Sequence, residues 1–98
     1  MNKLILDGQN IGSRHALHAL LADGLDFPED YGCNLDALFD ILTELGQDTL
    51  IHIRHGRALE QQLGSYASKL FGLLWDASRE NPRLRLCLCS DETPLAQP

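Results

Sequence analysis

Three short apolar runs, at residues 3–6, 49–53 and 84–89, are separated by stretches whose apolar residues recur at helical spacing. This alternation constrains the fold more than any other feature. Strands separated by helical crossovers pair in parallel through right-handed connections. The first run, Lys3-Leu4-Ile5-Leu6, closes on the turn Asp7-Gly8-Gln9-Asn10. Ser13 then reads as a helix N-cap, because its hydroxyl can take up a free first-turn amide. Ala16, Leu17, Leu20 and Leu21 continue that helix, with Gly24 as its expected stop. A loop over residues 27–32 leads to Asn34, the cap of a second helix expected to run to about Leu45 before Gly46. Helical patterns at residues 57–63 and 65–80 precede the last strand, with Pro82 as the break. The expectation is one α/β domain, a three-stranded parallel sheet packed by about four helices. It spans residues 1–90, with a flexible tail at 91–98 that carries two prolines and no core residue.

Charge narrows what such a domain can meet. The formal charge is −6, and residues 15–53 hold eight acids with no Lys or Arg. A one-signed acidic segment repels phosphate backbones and attracts basic partners, which argues against direct nucleic-acid binding. No apolar run reaches the roughly 18 residues of a membrane span, and the opening residues lack a signal-peptide core. Cys33, Cys87 and Cys89 are an odd number without a disulfide-framework spacing, which suits a reducing cytoplasm. Two thiols in C-x-C share one face of a strand, and small core residues are their expected role.

Turning residues 34–45 by 100° each sorts the second helix into two faces. Leu35, Leu38, Ile41, Leu42 and Leu45 form the core side, and Asp36, Asp40, Thr43 and Glu44 gather opposite, with Phe39 at the boundary. Carboxylates beside an aromatic ring can steer and grip a basic cleft. The same pattern also fits a plain solvated face whose acids repel one another by a few tenths of a kcal/mol.

The stretch YGCNLDALFD at residues 31–40 resembles the loop and helix of the barstar family of ribonuclease inhibitors. Residues 6–11 (Leu-Asp-Gly-Gln-Asn-Ile), Leu17-His18 and Phe27-Pro28 resemble it too, in order and spacing. The resemblance implies an inhibitor that plugs the active site of a barnase-like, guanyl-specific ribonuclease in a 1:1 complex. In that mode Asp40 would enter the phosphate pocket and Asp36 would flank it. Tyr31 and Phe39 would give aromatic contacts, Thr43 a polar rim and Asp76 a further salt bridge. With the loop included, the implied partner-binding set is Asp30, Tyr31, Gly32, Asn34, Asp36, Phe39, Asp40, Thr43, Glu44 and Asp76. Three departures imply a differently tuned partner. Asp30 stands where the family often has an aromatic, Phe39 replaces a tryptophan, and Asp76 is shorter than the family's glutamate.

Other chemistry is weakly signalled. His15 and His18 lie one turn apart and His52 and His55 flank a strand end, without an evident third metal ligand. No cofactor or catalytic motif is present, and Trp75 reads as core or helix-packing surface. Two alternatives remain open. One is a barstar-fold adaptor for a non-nuclease basic partner; the other is an enzyme using Asp36 and Asp40 as a carboxylate pair. The free protein is expected to be a cytoplasmic monomer without cofactor or metal.

Overall fold

The computed structural model describes residues 2–89; the expected tail at 91–98 and the side chain of Cys89 lie outside the described residues. Strand β1 (Asn2–Asp7) leads through a 3-10 turn into helix α1 (Arg14–Leu25) and helix α2 (Leu35–Thr43). Strand β2 (Thr49–Arg54), helices α3 (Gly56–Leu63) and α4 (Ser65–Glu80) and strand β3 (Leu84–Cys89) follow. The sheet is parallel throughout in the order β1-β2-β3, which is the expected α/β architecture with three strands and four helices.

That order has a consequence for the sheet's two faces. Right-handed crossovers that both step in the same direction place their helices on the same side. Leu4, Leu6, Ile51, Ile53 and Leu84 are buried beneath the helical layer. The alternate positions form a bare face, where Ile5, His52 and Cys87 stand in one cross-strand row. Ile5 is 45% exposed there, and Cys87 is exposed as well. Cys87 is therefore not a core residue; the pleat turns it toward the side that no helix covers among the described residues.

The core stripe of α4 is Ala67, Leu70, Leu74 and Ala77. Trp75 lies 100° beyond Leu74 and falls outside that stripe, so it is 58% exposed and takes no part in the core. Leu38 and Leu42 of α2 are fully buried, each stabilising the fold by about 1.5–3 kcal/mol. Leu35, Ile41 and Leu45 are only partly buried against that core.

Helix α1 starts as expected, with the Ser13 hydroxyl accepting from the Ala16 amide at 3.1 Å. It ends one residue beyond Gly24, where Asp26 takes the left-handed conformation (φ 57°) and the Phe27 amide donates to the Ala22 carbonyl at 2.9 Å. Gly24 serves packing instead: a Cβ there would collide with Leu4 of β1. Gly64 joins α3 to α4 at φ 60° and ψ −136°, a conformation essentially restricted to glycine. Helix α2 stops at Thr43, two residues before the expected end, and Glu44 caps it.

Candidate functional site

The loop before α2 is set by local chemistry. Cys33 adopts φ 55°, uncommon for a residue with a Cβ, and turns the chain into the helix. The Asn34 side chain accepts from the Ala37 amide at 2.8 Å and donates to the Gly32 carbonyl at 3.3 Å, so one residue caps the helix and closes the loop. Asp36 sits in the first turn, where the positive end of the helix dipole favours a carboxylate. At the other end, buried Asn81 donates to the carbonyls of Leu42 and Leu45 at 2.9 and 3.1 Å. Those carbonyls would otherwise be unpaired at the helix terminus, so α2 is braced at both ends.

Tertiary contacts hold the loop in place. His18 of α1 is only 1% exposed, and its two ring nitrogens lie 2.6 Å from the Tyr31 hydroxyl and 2.7 Å from the Tyr66 hydroxyl. A neutral imidazole has one N–H and one lone pair. One tyrosine must therefore accept and the other donate, and the three rings lock together. Burial holds the His18 pKa below the ordinary imidazole value. Burial also raises the Tyr31 and Tyr66 phenols, with the Arg14 charge opposing the rise at Tyr66. Tyr31 packs edge-on against Phe27, with ring centroids 4.9 Å apart. Arg14 lies 4.3 Å above the Tyr66 ring. The histidine pair at positions 15 and 18 is thus split: His15 points to solvent and His18 anchors the loop.

Helices α2 and α4 pack side by side and leave a shallow, open cleft of about 670 Å³ between them. Asp36, Phe39 and Asp40 line it from α2, and Asp76 lines it from α4 beside Lys69, Gly72 and Leu73. Three carboxylates separated by up to 40 residues in sequence therefore share one surface with a half-buried aromatic ring. The rest of the sequence-derived set surrounds this cleft without lining it. Asp30 and Gly32 are exposed on the loop, and Tyr31 is half-buried with its hydroxyl engaged by His18. The Thr43 hydroxyl donates back to the carbonyls of Phe39 and Asp40, and Glu44 is exposed past the helix end. A second depression joins Asp36 and Asn34 to Arg14, Cys33 and Tyr66.

Sequence reasoning missed His18, Tyr66, Arg14, Lys69 and Asn81 as parts of this region. The Leu17-His18 dipeptide and an Asn before Pro82 carried some signal. Nothing local indicated that Tyr66 would meet His18, 48 positions earlier.

Sequence comparison agrees with this fold. A family model described as Barstar (barnase inhibitor) matches residues 1–89. The chain is also 37% identical over 81 residues to "Putative ribonuclease inhibitor YrdF" of Bacillus subtilis (strain 168), covering 82% of this chain and 89% of that protein. No helix among the described residues is long and apolar enough to cross a membrane. With its parallel three-stranded sheet, four helices and a family match over nearly its whole length, the chain belongs to the barstar family.

Proposed function

We propose that this protein is a cytoplasmic, stoichiometric inhibitor of a barnase-like, guanyl-specific ribonuclease or ribonuclease toxin. It binds 1:1, filling the enzyme's active site with α2 and the preceding loop. The observation that carries this reading is the convergence of Asp36, Asp40 and Asp76 on one cleft with Phe39, in a chain of the barstar family. A ribonuclease active site gathers cations around the scissile phosphate. Carboxylates fixed on a rigid helix can replace that phosphate through charge-assisted hydrogen bonds. The acids also steer a basic enzyme during encounter. Asp40 is the central anion, Asp36 flanks it, and Asp76 closes the far wall. Asp30, Tyr31, Gly32 and Asn34 form the loop edge of the footprint, and Thr43 and Glu44 form its rim.

The role is inhibition and not turnover. Asp36 and Asp40 are exposed on a helix surface, and the cleft that the described residues form beside them is open and does not enclose a small substrate.

The test mixes the protein with barnase-type ribonucleases and follows RNA cleavage. Activity should vanish at one equivalent of protein and return when Asp40→Ala is used at the same concentration. Failure to inhibit any such enzyme, or full inhibition by Asp40→Ala, would refute the proposal. Capture of a non-nuclease basic protein through α2 would instead favour an adaptor.

A further inference from the structure

The outer side of α4, next to the cleft, carries two residues that the fold itself does not use. Trp75 is 58% exposed, and among the described residues its ring makes no ring contact or hydrogen bond. Three residues earlier, Gly72 lies in the interior of a 16-residue helix. Glycine is a poor helix former, so an interior glycine usually has a packing reason. Among the described residues there is none, since a Cβ at Gly72 would meet no atom of theirs within 4 Å. Gly72 nevertheless lines the cleft, together with Asp76 one turn further on. At spacings of three and four residues, Gly72, Trp75 and Asp76 are neighbours on the helix surface. A solitary exposed ring is ordinary on a protein surface. Beside a glycine without an internal role, and at the margin of an acidic cleft, it has a specific use.

We infer that Gly72 and Trp75 widen the α4 side of the docking surface beyond Asp76, and that this stripe receives an arginine-bearing segment of the same basic ribonuclease. The inference rests on the function proposed above. The bare backbone at Gly72 lets the partner's chain approach the helix where a side chain would hold it off. The flat face of Trp75 takes a guanidinium by stacking, with the Asp76 carboxylate within reach of the same cation.

The test measures affinity for a barnase-type ribonuclease and thermal stability in parallel, for the full chain and four variants. Trp75→Ala should weaken binding about 30-fold with an unchanged melting temperature, because the ring is outside the core. Gly72→Ala should melt roughly 4 °C higher than the parent and still bind more weakly, a pairing that a purely structural glycine would not give. Gly72→Gln should weaken binding further, by about tenfold. Asp40→Ala is the reference for the underlying function. If Asp40→Ala loses affinity while Trp75→Ala and Gly72→Gln bind within about twofold of the parent, the inference is wrong and the inhibitory function stands. If Asp40→Ala binds like the parent, or the parent does not bind, both fall.

Discussion

The molecule presents two very different open surfaces, the acidic cleft between α2 and α4 and the bare face of the sheet. The cleft concentrates Asp36, Asp40 and Asp76 with a single cation among the described residues, Lys69. Its loop and helix are held by a buried histidine, an N-cap and the Asn81 brace. The bare face mixes Lys3, Arg54 and Arg85 with Ile5 and Leu50. Its one acid among the described residues, Asp7, is already committed, accepting from the Gln9 amide at 3.0 Å and lying 2.8 Å from His55. Those two contacts, the amide first, hold the Asp7 pKa below the usual carboxylate value. In its centre His52 has a shielded Nε2 with no hydrogen-bond partner among the described residues. Exposure is common to both surfaces. What distinguishes the cleft is its net negative charge, carried on a backbone already held in place, which removes an ordering cost from association.

The sharpest way to break this contrast is a matched pair of truncations. Asp40→Ala should cost about 2–5 kcal/mol of ribonuclease affinity, as expected for a charge left without its mate in an interface. Arg85→Ala, on the bare face, should change affinity by less than about 0.5 kcal/mol. Equal losses, measured by calorimetric titration, would erase the distinction.

The bracing beneath the cleft can be removed separately. His18→Phe leaves two tyrosine hydroxyls without their shared partner and should destabilise the fold by roughly 2–4 kcal/mol in denaturant melts. The same contact predicts a pH dependence. Because the folded His18 pKa lies below its unfolded value near 6.5, the unfolded chain binds more protons in mild acid. The stability associated with His18 is therefore complete above that pH and is lost as pH falls below it. Asp7, with its lowered pKa, adds stability that disappears only below its unfolded value of 3.8, so the two windows are distinct. Melting curves from pH 7.5 to 5 should show a slope in the parent that His18→Phe lacks.

A smaller effect concerns the lone cation. Lys69→Gln makes the cleft more negative and should raise the association rate about twofold at low salt, with the gain fading as salt screens it. Stopped-flow mixing at two ionic strengths would read this directly.

Much of this protein was legible from local pattern. The periods of 2 and 3.6 follow from backbone geometry alone, so β3 and α4 fall where their apolar spacing placed them. The Ser13 and Asn34 caps were readable because a side-chain oxygen needs only its own helix. The two-sided character of α2 was equally clear, with Leu38 and Leu42 inward and Asp36 and Asp40 outward. Three local readings failed for a shared reason: they depended on which stripe met which neighbour. Gly24 looked like a helix stop and instead admits Leu4. Cys87 looked apolar enough for a core and lies on the uncovered face, and Trp75 falls just outside the buried stripe of α4.

By itself the sequence determined the elements, their caps, the acidic face of α2 and the family resemblance, because each depends on residues within a few positions of one another. Only the tertiary structure decided that Asp76 joins Asp36 and Asp40 in one cleft, and that His18 reaches both Tyr31 and Tyr66. The packing of α2 against α4 and the shared hand of the two crossovers bring those side chains together. Local spacing carries no record of either.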